Sequence, residues 1–152
     1  MRFPSVSGEN LEGVRFDLPT DFAGDPTLVV VSFQRWQQPA VESWLAAAAP
    51  LAARYPDFEY YELPTLSRRH RVSKSRLTGG LSEEVPDAER RARTIRLYVD
   101  VARFQRALGI RSVDSAHALL LDADGTVRWR SRGPCTPERA NELRRAIRRA
   151  TA

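Results

Sequence analysis

Thr27-Leu28-Val29-Val30-Val31-Ser32-Phe33 is an unbroken β-branched and aromatic run. Such a run suits a strand covered by other elements on both faces, because a strand with one solvated face alternates apolar and polar residues. The chain then passes through Gln34 to Gln38 to Pro39, which suits the first turn of a helix. Val41, Trp44, Leu45, Ala48, Leu51, Ala52 and Tyr55 follow at the three-and-four spacing of one buried helical face. Pro50 falls inside that stripe, which predicts a kink or a break. A doubly covered strand feeding an amphipathic helix restricts the chain to a layered α/β architecture.

The flanking segments extend this pattern. Leu11 to Leu18 alternates and stops at Pro19, predicting a short half-buried strand. Phe58 to Leu63 predicts a second strand closed by Pro64, and Thr65 to Asp87 reads as an irregular loop. Ala88 to Arg93 predicts a short helix and Thr94 to Val99 a strand. Val101, Phe104 and Leu108 mark a helix ending at Gly109. His117 to Asp122, the turn pair Asp124-Gly125 and Thr126 to Ser131 predict a hairpin. Thr136-Pro137-Glu138 opens a last helix whose buried stripe is Ala140, Leu143, Ile147 and Ala150. The 152 residues are expected to form one domain, with residues 1–26 as an N-terminal extension and 65–87 as a basic loop insertion.

Cys135 is the only cysteine, which excludes an intrachain disulfide and any CxxC motif. No basic-then-apolar leader precedes Phe3 and no apolar run approaches the ~18 residues of a membrane span, so the expectation is a soluble, cytoplasmic protein. The net charge is +5, and Lys74 is the single lysine. Residues 1–62 carry four arginines against nine acidic residues, whereas residues 63–152 carry 20 basic against 10 acidic residues. That asymmetry fits an acidic partner, or two halves that interleave in one domain.

Several fragments together resemble the thioredoxin-like family of ATP-synthase assembly factors and its prokaryotic relatives. They are Phe3-Pro4 with Gly8 and Leu11; Ser43-Trp44; Tyr61-Glu62-Leu63-Pro64; Arg91, Arg93-Thr94-Ile95, Leu97-Tyr98 and Asp100; Phe104 with Leu108-Gly109-Ile110; and Leu120-Leu121-Asp122, Asp124-Gly125, Val127, Trp129 and Gly133. The resemblance implies a thioredoxin-like α/β fold, a central mixed sheet flanked by helices. It also implies a chaperone-like contact with a membrane-protein client. Redox relatives carry Trp-Cys-x-Pro-Cys at the turn after the buried strand; here Gln37 and Ala40 stand at the cysteine positions. Neither side chain ionises to a nucleophile, so thiol–disulfide chemistry is excluded there. No proline lies between Gly109 and Gly133, where redox relatives place a cis-proline.

The partner-binding residues expected from sequence are Trp36, Gln37 and Gln38 on the turn, which could face an extended peptide. Arg68, Arg69, Arg71, Lys74 and Arg76 join them as a basic run able to meet anionic lipid, an acidic protein or phosphates. The alternative for each is a packed turn and a solvated loop. His70 and His117 read as structural, and Asp122 and Asp124 as turn residues. No catalytic set, metal spacing or cofactor motif is visible, so no cofactor is expected. The expected function is a redox-inactive binding or assembly module whose partner is a protein client, such as a membrane-complex subunit. Two alternatives stay open. One is a peroxiredoxin-like antioxidant or sensor using Cys135, with its thiol pKa lowered by the following helix and Arg132. The other is non-specific nucleic-acid binding through arginine.

Overall fold

The computed structural model describes residues 1–68 and 87–151. In chain order these form β1 (Val6–Asn10), β2 (Arg15–Leu18), β3 (Thr27–Ser32), a 3₁₀ turn (Arg35–Gln37), α1 (Gln38–Arg54) and β4 (Glu59–Ser67). Then come α2 (Ala88–Arg93), β5 (Ile95–Val99), α3 (Val101–Leu108), β6 (His117–Leu121), β7 (Val127–Arg132) and α4 (Pro137–Thr151). The strands make one mixed sheet in the order β2-β1-β5-β4-β3-β6-β7. Pairs β3/β4 and β4/β5 are parallel, and the remaining pairs are antiparallel.

Every residue of β3 is buried, because its side chains alternate between two cores. Leu28 and Val30 pack with Val41, Trp44 and Ala48 of α1 and Leu143 and Ile147 of α4. Val29 and Val31 pack on the opposite face with Leu97, Phe104 and Leu108, beneath α3. Helices cover both faces of the sheet, as the continuous apolar run requires.

The N-terminal segment expected as an extension is part of this sheet. Residues read as one strand from Leu11 to Leu18 divide at a turn, where the Asn10 side-chain oxygen accepts the N–H of Glu12 and of Val14 at 2.9 Å each. Val6–Asn10, not foreseen as a strand, pairs with both β2 and β5. Gly8 permits the β5 pairing: a Cβ there would stand 2.5 Å from the Arg96 carbonyl oxygen and 2.7 Å from Leu97 Cδ2.

Two prolines lie inside elements without ending them. α1 continues through Pro50, which lies on its exposed side, and ends at Arg54. β4 continues through Pro64 to Ser67. Pro64 faces Ser32 at the last register pair with β3, and from Thr65 onward the strand pairs with β5. Glu62 already bridges Thr94 in the same register, so Pro64 lies at the end of the β3 ladder and in the gap between this bridge and the Thr65–Ser67 ladder with β5. Other boundaries match closely. α3 ends at Gly109 in the left-handed conformation, φ 63°, and Gly125 takes φ 85° in the β6–β7 turn. Thr136 Oγ1 accepts the Arg139 N–H at 3.2 Å and caps α4. Within α4 the buried residues are Leu143, Ala146 and Ile147, while Ala150 faces solvent.

Candidate functional site

The carboxyl ends of the parallel pair β3 and β4 meet the 3₁₀ turn that starts α1, the position where α/β sheets place binding sites. Trp36 projects from this turn and is 64% exposed. Gln37, expected beside it on the surface, is turned inward and only 2% exposed. Its Oε1 accepts the N–H of Phe33 at 2.8 Å and of Gln34 at 3.3 Å, and its Nε2 donates to the Val113 carbonyl at 2.6 Å. One amide thus closes the turn and ties it to the loop before β6. The correction has a physical cause: backbone groups at the end of a fully buried strand need partners, and Gln37 supplies them.

Gln38 is half-buried, and its Nε2 donates to Glu62 Oε1 at 3.2 Å. Glu62, a carboxylate in the middle of β4 and 5% exposed, is the centre of a polar cluster that pattern reading missed. Its Oε2 accepts Arg90 Nε at 3.4 Å and lies 3.3 Å from Thr94 Oγ1. Arg90 Nη1 also reaches Glu42 Oε1 at 3.3 Å. Burial disfavours the Arg90 charge, but Glu62 and Glu42 outweigh it and raise the guanidinium pKa. The signal in the sequence is a glutamate between Tyr61 and Leu63, in the interior of a strand. A charge so placed requires a cation. The cation comes from α2, 28 positions away, so spacing alone does not reveal it.

A cavity of about 270 Å³ opens beside this cluster. Phe33, Pro64 and Leu66 give it apolar walls, and Gln38, Glu62 and Arg90 supply polar groups. Gln34, Arg35 and Gln38 of the turn region also line it, whereas Trp36 does not. Arg68, the first residue of the predicted basic run, is exposed just beyond β4. Arg69, Arg71, Lys74 and Arg76 lie outside the described residues, as does His70.

Cys135 is half-buried against the α1/α4 core, with its backbone N–H donating to Ser43 Oγ at 2.9 Å. Burial raises its thiol pKa, and the opposing charge of Arg139 offsets this only in part. The expected lowering by Arg132 and the helix terminus is overturned, because desolvation dominates. Burial also lowers the pKa of His117, with Arg130 and Arg132 adding to the effect. The ring is 5% exposed and Nε2 lies 3.4 Å from the Ser112 carbonyl. Asp122 holds the hairpin: Oδ1 accepts the N–H of Asp124 and Thr126, and Oδ2 accepts Arg128 Nε at 2.7 Å. Burial raises its pKa, but these hydrogen bonds prevail and bring it to about 2. Among the described residues no group of His, Cys, Asp and Glu is placed to hold a metal ion. No helix among them is long and apolar enough to cross a membrane.

No protein-family model matches the chain, and no curated protein matches it. Solved structures do. A thiol:disulfide interchange protein of the thioredoxin family from Chlorobium tepidum matches with TM-score 0.58 and 15% identity, covering 100% of this chain and 97% of that one. The exposed lipoprotein thioredoxin Etrx1 of Streptococcus pneumoniae matches with TM-score 0.59 and 16% identity, covering 95% and 99%. BsSco, a member of the Sco family of cytochrome c oxidase assembly proteins, matches with TM-score 0.66 and 12% identity, covering 99% and 93%. The fold is thioredoxin-like over nearly the whole chain, with one cysteine in place of a thiol pair.

Proposed function

We propose that the chain is a redox-inactive binding module that holds a protein client at the strand-to-helix turn and acts as an assembly or chaperone-like factor for a membrane complex. The observation that carries this reading is Gln37. Where a redox relative would need a thiolate, an amide is fastened inward by three hydrogen bonds. The turn is then a rigid mount for the exposed Trp36, and an indole offered this way is a strong contact group because its large apolar area is already ordered. The cavity lined by Gln34, Arg35 and Gln38 of the same turn region gives a client side chain an apolar wall and hydrogen-bonding groups. The fold shared with BsSco supports an assembly role by analogy. The raised thiol pKa of Cys135 disfavours the antioxidant alternative.

The finer proposal rests on the sequence resemblance: the client is a membrane subunit of an ATP synthase. Arg68, Arg69, Arg71, Lys74 and Arg76 form a second, salt-sensitive contact with acidic client surface or lipid headgroups. The test is capture from solubilised host membranes by wild type, by Trp36→Ala, and by a variant with those five basic residues neutralised. Wild type is expected to recover a defined membrane subunit that Trp36→Ala loses, while both proteins melt within a few degrees of each other. Equal recovery by Trp36→Ala sinks the turn as the site, and recovery of bulk nucleic acid alone sinks the assembly reading.

A further inference from the structure

Among the described residues β7 closes one side of the sheet, with β6 its neighbour within it. The start of its outer edge is already occupied. Phe3 N–H donates to the Gly125 carbonyl and Val127 N–H to the Met1 carbonyl, both at 2.8 Å, with Arg2 bridged antiparallel to Thr126. This edge accepts an antiparallel partner, which Met1 to Phe3 provide beside Gly125 to Val127. Beyond Val127, no other strand among the described residues pairs with that side.

The register then decides what the remaining edge offers. Leu121 faces Val127 but Leu120 faces Trp129, so β7 carries one extra residue and its inward and outward positions exchange. Gly133 N–H donates inward to the Ala116 carbonyl at 2.9 Å, in phase with Trp129 and Ser131. Arg130 and Arg132 consequently turn their backbone N–H and C=O outward. Both side chains are exposed; Arg130 Nη1 donates to Met1 Sδ at 3.3 Å, and neither guanidinium forms an ion pair with a carboxylate among the described residues. Arg128, by contrast, is held by Asp122. The surroundings are strongly basic, with eight arginines against two glutamates between Val127 and Thr151.

We propose that the Arg130–Arg132 edge of β7 is a docking site for an extended acidic segment of a protein partner, which adds as a strand next to Met1. Residues hydrogen-bonded opposite Arg130 and Arg132 place their side chains on the same face as the two guanidinium groups, about 6.8 Å apart. Glutamate or aspartate at alternate positions meets that spacing, and a guanidinium fork donates to each carboxylate. A second copy of this chain is disfavoured, since pairing two such edges sets arginine against arginine. The outward backbone groups favour a polypeptide over nucleic acid, which would use the charges and leave the ladder unmade. The site shares no residue with the turn, so its fate is separate from that of the client reading.

The probe is a fluorescent alternating Thr-Glu peptide, titrated into the full chain at physiological salt, with amide exchange followed by NMR. Saturating peptide is expected to slow exchange at Arg130 and Arg132 while leaving Trp129 and Ser131 unchanged. Arg130→Gln with Arg132→Gln should weaken binding about tenfold. Arg130→Glu with Arg132→Glu should transfer the preference to an alternating Thr-Lys peptide, with a melting curve confirming the fold. Trp36→Ala should bind the acidic probe as wild type does. Binding without protection at Arg130 and Arg132 would overturn the proposal, as would tighter binding of an oligonucleotide of equal charge, or no binding at all.

Discussion

Replacing Gln37 by alanine deletes the acceptor of the Phe33 N–H and the donor to the Val113 carbonyl, at a position only 2% exposed. The third bond, to Gln34 N–H, is longer at 3.3 Å and involves an exposed residue that water can serve. The Phe33 N–H is buried and the Val113 carbonyl partly so; each left unsatisfied costs about 1–3 kcal/mol, and with some relaxation of the turn the loss is about 2–4 kcal/mol. For a chain of this size that lowers Tm by roughly 5–15 °C. Equilibrium urea unfolding should show a lower midpoint at unchanged slope, because the surface exposed on unfolding hardly changes. Gln38→Ala, which removes one partly exposed bond of 3.2 Å, should cost about 1 kcal/mol and serves as the control. If Gln37→Ala stays within about 0.5 kcal/mol of wild type, the side chain is not the clasp that the hydrogen bonds describe, and the rigid-mount argument falls.

Gln37→Cys combined with Ala40→Cys rebuilds Trp-Cys-Gln-Pro-Cys at the start of α1; on mild oxidation two thiols should disappear from titration and Cys135 alone should remain, and three persisting thiols would show that the turn no longer has the redox geometry. The hydrogen-bonded carboxylate of Asp122 stabilises the fold above its ordinary pKa of 3.8, and this contribution is lost as pH falls toward about 2. Asp122→Asn should therefore be less stable than wild type at neutral pH and converge with it in acid; a constant difference across that range refutes the assignment. Gly8→Val puts a side chain into the Arg96 carbonyl and Leu97, so β1 should detach and its amides exchange faster, whereas unchanged protection of Val6–Asn10 contradicts the close approach.

Much of this was legible in the residues. The Asp124-Gly125 hairpin, the Gly109 stop and the Thr136 cap are local chemistry, where each residue acts on its own backbone neighbours. The strand at Thr27 announced burial on both sides through its composition, and the loss of reactive thiols could be read from two positions. The Leu11–Leu18 reading kept the strand's end at Leu18 but began it too early, because alternation persists through a turn, and the Pro64 boundary failed because β4 resumes pairing with β5 at Thr65. For Cys135, the helix terminus and nearby arginines were visible but the desolvating core was not.

The amino-acid order by itself determined where most helices and strands lie, β1 excepted, and which chemistry the turn cannot perform. Periodicity, turn residues and ionisability are properties of short windows. Tertiary structure alone decided the strand order that takes the N-terminal segment into the sheet, the meeting of Glu62 with Arg90, and the inward rotation of Gln37 onto Val113. It also decided, through one extra residue in β7, that Arg130 and Arg132 turn their backbone outward. These depend on which distant groups share a buried space, where an unpaired polar atom is costly and a partner far along the chain becomes the least costly solution.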